Sequence, residues 1–243
     1  MSTDSSSAVA QQAAAAHLLS FFPDIPLTID DYLAQRQILQ DARWPHVQLL
    51  PGVERLVAHL VAHAVPIAIA SGSARRNFEL KTPHLQRVFA HFGENVVCGD
   101  DDGAERGKPF PDVFLAAARK LGRDVGPNDE GDVVGEAERE ERAGGLVFED
   151  ALPGVQAGKR AGMCGAFCSL FFVWSLGSYH LTPFLSVVAW VPDQNLLDVG
   201  SSQVTERPDQ VLHSLEVFVP EEWGLPPFDS DDATIRQQSG TEV

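Results

Sequence analysis

Residues 49–73 read LLPGVERLVAHLVAHAVPIAIASGS, and this stretch decides the fold. Pro51 and Gly52 punctuate its start. Val53, Leu56, Val57, Leu60 and Val61 then recur at i, i+3, i+4, i+7 and i+8, one face of an amphipathic helix. The apolar run Val65-Pro-Ile-Ala-Ile-Ala70 is too short for a helix of its own and suits a strand buried on both faces. Pro66 falls among the first residues of that strand, where a missing N–H is tolerated. Ser71-Gly72-Ser73 closes the strand as a polar turn.

The same rhythm continues outward from this unit. Residues 74–92 read as helix, Asn95–Cys98 as a short strand, and PDVFLAAARKL (111–121) as a helix stopped by Gly122. Residues 123–143 turn polar and acidic and read as a solvated surface insertion. Gly145–Phe148 is a further strand, followed by Glu149-Asp150 and a helix ending near Gly162. Toward the N-terminus, residues 28–43 (TIDDYLAQRQILQDAR) form a predicted helix, with Thr28 as N-cap and Asp30 and Asp31 in its first turn. Strands alternating with helices indicate an α/β fold, a Rossmann-like parallel sheet flanked by helices. Residues 1–16 read as a frayed polar terminus and 229–243 as a disordered tail.

The chain has 243 residues, with 18 Lys+Arg against 34 Asp+Glu and a formal net charge of −16. Such a balance argues against nucleic-acid binding, which needs a basic surface, and against docking on an anionic bilayer. Three cysteines, Cys98, Cys164 and Cys168, are too few for a disulfide framework and fit a reducing, cytoplasmic compartment. Cys164 and Cys168 lack a second ligand pair nearby and read as buried thiols rather than half a zinc site. No basic segment followed by an apolar core opens the chain as a secretory signal would. One stretch complicates the picture: from Cys164 to Val191 there is no Asp, Glu, Lys or Arg, a length sufficient to cross a bilayer.

Open α/β sheets bind ligands in the crevice at the carboxyl ends of their strands. Three predicted strand ends carry reactive groups: Ser71-Gly72, Asp100 to Asp102, and Glu149-Asp150; Lys108 lies in the loop before residue 111. Singly, each has a structural explanation. Ser71 or Asp150 could cap the following helix, and Lys108 could face solvent. Together they supply what a phosphate site requires. Ser71 and the Gly72 amide can hold phosphoryl oxygens, and Lys108 offers a point cation. Glu149 and Asp150 offer hard oxygen ligands for Mg²⁺.

Four stretches, LLPGVERLVAHLVAHAVPIAIASGS (49–73), RGKPFPDVFLAAARKLG (106–122), LVFEDALPGVQAGKRAGM (146–163) and VPDQNLLD (191–198), resemble the haloacid dehalogenase-like hydrolases. The likeness is to the branch of phosphatases acting on small sugar and nucleoside phosphates, such as pseudouridine-5′-phosphatases, and PEEWGLPPF (220–228) resembles the tail of that branch. It implies a core over residues 51–228 and a remnant of a helical cap over 17–50. It further implies that Ser71 and Gly72 bind phosphate, and that Lys108 neutralises phosphate and nucleophile. Asp150 would bind Mg²⁺, with Glu149 assisting directly or through water, and the substrate would be a small phosphorylated metabolite. In the family, one aspartate attacks phosphorus and a second, two residues on, protonates the leaving group and then activates water.

Those two aspartates sit at the end of a hydrophobic strand, and nothing before residue 28 has that form. The chain is therefore expected to begin inside the cap and to be impaired as a catalyst, a non-catalytic phosphate binder or incomplete gene model being the alternative. Asp100 and Asp102, in Asp100-Asp101-Asp102-Gly103, spell the missing pattern and are weak substitutes for the nucleophile pair. The resemblance also places the absent strand between the strands at 65 and 145, which predicts two inner edges with unpaired N–H and C=O groups. Residues 164–187 stand where the family would pass directly to the next strand. Three readings apply to this run: a non-native insertion, a buried element patching the vacated position, or a membrane span. Pro183, His180 and Gly177 count against the span.

Overall fold

The alternation read from residues 49–163 is realised, in a computed structural model, as a sheet with helices on both faces. The structure describes residues 3–130, 133–163, 172–174, 189–190 and 207–229, with backbone alone for 3–10, 172–174 and 189–190. The elements in chain order are α1 (Thr3–Ser20), α2 (Ile29–Arg43), α3 (Val53–Ala62), β1 (Ile67–Ala70), α4 (Arg75–Lys81), α5 (Gln86–Phe89) and β2 (Val96–Val97). They continue with α6 (Asp112–Lys120), α7 (Glu136–Ala143), β3 (Gly145–Glu149), α8 (Leu152–Arg160), β4 (Phe172–Trp174), β5 (Ala189–Trp190) and β6 (Gln210–Val211). Short 3-10 turns at Trp44–His46, Pro83–Leu85, Ala90–Phe92, Leu215–Val217 and Pro220–Trp223 fill the connections.

Period-two alternation sends the strand side chains into two separate cores. Ile67 and Ile69 of β1, with Leu146 and Phe148 of β3, join the α3 residues Leu56, Val57 and Leu60. Ala68, Ala70 and Val147 point the other way, onto Val113, Phe114 and Ala117 of α6 and Ala157 of α8. The small side chains on that second face let α6 and α8 lie close to the sheet. Both helices end in the same way. Arg123 N–H donates to Ala118 C=O at 3.1 Å and Gly122 N–H to Arg119 C=O at 2.9 Å; Met163 and Gly162 repeat the pattern on Gly158 and Lys159 at 3.2 and 2.9 Å. This closure needs a left-handed residue, and Gly122 (φ 76°) and Gly162 (φ 74°) supply it.

The sheet order is β2-β1-β4-β3-β5-β6. The β1–β2, β3–β5 and β5–β6 pairs are parallel. β4 runs antiparallel to both neighbours, with Val173 opposite Ile67 on one side and Leu146 on the other. The expectation of two unpaired inner edges is corrected for the amino-terminal parts of β1 and β3: a strand from the uncharged run pairs there with both. This arrangement matches the reading in which the run supplies a sheet element. The described pairing covers Ile67–Ala68 and residues 145–147, the amino-terminal parts of β1 and β3. No helix among the described residues is long and apolar enough to cross a membrane. The rest of 164–187, with Cys164 and Cys168, and the stretches 191–198 and 230–243 lie outside the described residues.

Three further expectations change. The N-terminal segment, read as frayed, is helical from Thr3 to Ser20, and Arg36 of α2 donates to Gln11 of α1 at 2.9 Å. The single helix over 74–92 is broken after Lys81, because Pro83 has no N–H to continue the helical hydrogen bonding. Thr82 ends α4 with its hydroxyl donating to Phe78 C=O at 3.1 Å. The acidic segment 123–143 is not simply solvated surface. Arg142 of α7 is 0% exposed, and its guanidinium donates to the carbonyls of Val125, Pro127 and Asp129 at 2.7–2.8 Å. The insertion is wound around a buried arginine.

Candidate functional site

Ser71 follows β1 directly and is 7% exposed. Its N–H donates to Val97 C=O at 2.8 Å, which carries the parallel β1–β2 pairing one residue past the strand. The Ser73 N–H donates to Ser71 Oγ at 3.1 Å and folds residues 71–73 into a tight turn. The loop after β2 lies against this turn. Gly99 N–H donates to Ser73 C=O at 2.9 Å, and a Cβ on Gly99 would fall 2.7 Å from Gly72 O, so only glycine fits. On the other side, a Cβ on Gly72 would meet Lys108 Cδ at 3.9 Å. The Ser71–Ser73 turn and Lys108, which stands 36 residues after Gly72, are thus neighbours in space.

Lys108, in the loop that leads to α6, lies over the Phe114 ring at 4.9 Å and donates to Glu149 Oε1 in an ion pair. Glu149 ends β3 and is 4% exposed. Burial holds its carboxyl above the ordinary carboxylate range, against the opposing pull of the Lys108 charge and hydrogen bond. Gly154 makes room for it: a Cβ there would stand 1.9 Å from the Glu149 Cδ. Asp150, the next residue, is exposed in the β3–α8 turn, and its charge is felt at both Glu149 and Lys81.

Ser71, Gly72, Lys108, Glu149 and Asp150 therefore gather at the carboxyl ends of β1 and β3. Asp100 and Asp102 are placed differently. Asp100 is exposed and accepts the Arg75 N–H at 2.7 Å, capping α4, while Asp102 is exposed in the following turn. Asp101 pairs with the Arg75 guanidinium and accepts the Cys98 N–H at 2.8 Å. These bonds give the Asp-rich turn a role in fixing the β2–α4 junction. For a divalent cation the candidate donors are the adjacent carboxylates of Glu149, which is ion-paired with Lys108, and Asp150. They fit Mg²⁺, which takes one or two carboxylates and fills its remaining positions with water and substrate phosphate. No group of three or more acidic, histidine or cysteine side chains able to hold a metal occurs among the described residues.

Two residues beside the turn, Lys81 and Trp44, carry no motif in the sequence. Lys81, at the end of α4, donates to Ser73 Oγ at 2.9 Å, and its ammonium lies 4.9 Å from the centre of the Trp44 ring. Burial pulls the Lys81 ammonium below its ordinary value, with the Asp150 charge opposing. A lysine in the last turn of a helix is ordinarily a favourable surface charge, so nothing local marks this one.

A helix-flanked sheet that carries a hydroxyl, a lysine and an acidic couplet at its strand ends defines an α/β protein with its polar and charged groups gathered at one edge of the sheet. A family model described as haloacid dehalogenase-like hydrolase matches residues 16–162, and the chain belongs to that family. It is 37% identical over 206 residues to (DL)-glycerol-3-phosphatase 2 of Arabidopsis thaliana, covering 85% of this chain and 68% of that protein. It is 33% identical to a probable pseudouridine-5′-phosphatase of Drosophila melanogaster, with 84% and 71% covered. Among solved structures, a family IA, variant 3 hydrolase of this kind from Entamoeba histolytica superposes with a TM-score of 0.51 over 81% of this chain and 69% of that one; at 17% identity the likeness is one of fold.

Proposed function

We propose that the site binds the phosphate group of a small phosphorylated metabolite together with Mg²⁺, in the manner of a phosphoric monoester hydrolase. The reading rests above all on Lys108, which is held by buried Glu149 and lies against the Ser71–Gly72 turn. The Ser71 hydroxyl and Gly72 amide supply donors to phosphoryl oxygens, and Lys108 offsets their charge. Asp150, with Glu149 beside it, would hold the cation, which when bound supplies charge neutralisation at the phosphate. Relatives named for glycerol-3-phosphate and pseudouridine-5′-phosphate favour sugar or nucleoside monophosphates as the substrate class. The low cysteine count suits a cytoplasmic setting.

Nothing before residue 28 reads as a hydrophobic strand ending in an aspartate pair, and Asp100, in the Asp100-x-Asp102 pattern after β2, is engaged in capping α4. We therefore read the chain as binding phosphate with little turnover, since loss of a covalent nucleophile costs on the order of a million-fold in rate. Inorganic phosphate with Mg²⁺ should raise the melting temperature of the wild type, and Lys108→Met should abolish the rise. Hydrolysis of p-nitrophenyl phosphate should stay near background. Brisk turnover that Asp100→Asn removes would instead make Asp100 the nucleophile and overturn the reading of an impaired catalyst.

A further inference from the structure

We propose that Lys81 is a positioning residue of the phosphate turn: it fixes the Ser73 hydroxyl as a hydrogen-bond donor to the bound anion and adds a second cation beside it. The inference rests on the phosphate-binding reading above and extends it to residues outside the matched motifs.

The argument begins with proton counting. A lysine ammonium has three donors and no acceptor, so in the 2.9 Å contact Ser73 Oγ must accept. Its own hydroxyl proton is then left for another partner. Ser71 stands in the same condition, because its Oγ accepts the Ser73 N–H at 3.1 Å. Among the described residues no protein acceptor takes the Ser71 hydroxyl, the Gly72 N–H or the Ser73 hydroxyl. One three-residue turn thus holds three donors with no protein partner, and Lys81 sets the third. Ser71 is buried, Ser73 half-buried and Gly72 exposed, so the three donors line an open turn, and an anion with several oxygens satisfies them together.

Electrostatics support the same role. Lys108 is ion-paired with Glu149, whereas Lys81 makes no ion pair among the described residues. Its carbon stem is half-buried, and the indole of Trp44 holds the ammonium on one side. A lysine placed only to stabilise α4 would face water at the helix end. This one is turned onto the phosphate turn and feels the charge of Asp150. An arriving phosphate would supply the counter-charge.

The test is titration of inorganic phosphate, with Mg²⁺ present, by calorimetry on the full chain. Lys81→Met should weaken phosphate binding about ten-fold, the worth of one charge-assisted hydrogen bond, and Lys81→Arg should restore most of it. Ser73→Ala should lose a similar factor, and the Lys81→Met/Ser73→Ala double variant little more than either alone, since the two act as one unit. Binding that Lys108→Met abolishes but Lys81→Met and Ser73→Ala leave intact would overturn the role of Lys81 while sparing the phosphate site. Full additivity of the two losses would overturn the coupling. A wild type that takes up no phosphate would overturn both readings at once. Should Lys81→Met fail to fold, Ser73→Ala and Lys81→Arg decide the matter: the alanine binding as wild type would overturn it.

Discussion

Glu149 shows how much one residue must be accommodated before it can work. Its carboxylate is buried against Lys108, and the space it fills exists because residue 154 has no side chain. Gly154→Ala would drive a methyl group into the carboxylate, so the ion pair and the helix start cannot both persist. The expected outcome is a loss of about 2–3 kcal/mol of stability in urea unfolding, with phosphate affinity falling alongside. Cys98 makes the complementary case of a buried group kept neutral. Burial pushes its thiol up to about 12, and the nearby Asp100 and Asp101 charges add to the effect while Arg75 opposes it. At pH 8 the native thiol should resist iodoacetamide for hours and react in minutes once urea unfolds the chain, as peptide mapping of Cys98 would read. The sign for stability follows: the folded value lies above the unfolded one of about 8.5, so the contribution is complete below that pH. It drains away as pH rises toward 12.

Elements differ in how far their own residues announce them. The N-cap of α2 is local, Thr28 Oγ1 accepting the Asp31 N–H at 3.1 Å, and the sequence 28–43 carries it in plain view. The glycine stops of α6 and α8, the apolar strands β1 and β3, and the Ser71, Lys108 and Glu149-Asp150 positions are equally legible, because turn chemistry and burial periodicity act within a few residues. Lys81 and Arg142 are not legible, since what each does depends on carbonyls, a hydroxyl or a ring brought close only by the tertiary fold. Residues 123–143 were acidic enough to pass for surface, yet three of their carbonyls converge on Arg142. Arg142→Met should therefore do more than remove a charge. It leaves the Val125, Pro127 and Asp129 carbonyls without their donor, at about 1 kcal/mol or more each, and should lower urea stability by about 3 kcal/mol. Arg142→Lys should recover only part of the loss, because a compact ammonium cannot fork to three carbonyls as a planar guanidinium does.

At the scale of the whole molecule, the question is what holds β1 and β3 in one sheet. The two strands carry Ser71 at one end and Glu149 at the other side of the site, and in the described pairing β4 joins them. The antiparallel direction of β4 was not legible from residues 164–187, which have neither charge nor alternation to fix a register. It has a consequence that can be measured. Val173 stands opposite Ile67 and Leu146 together, so its backbone is flanked by strands on both sides. Proline at this position removes an N–H from a central strand, where the ring is tolerated only at edges or bulges. Val173→Pro should cost about 3 kcal/mol or more. Amide exchange should rise first in residues 67–68 and 145–147, the segments that β4 covers. If β4 ties the sheet together, phosphate binding should fall with that protection, although residue 173 lies far in sequence from Ser71, Lys108 and Asp150. Unchanged protection at residues 67–68 and 145–147 in the proline variant would mean that β1 and β3 are held by the helices packed on their faces, and that β4 only fills the space between them.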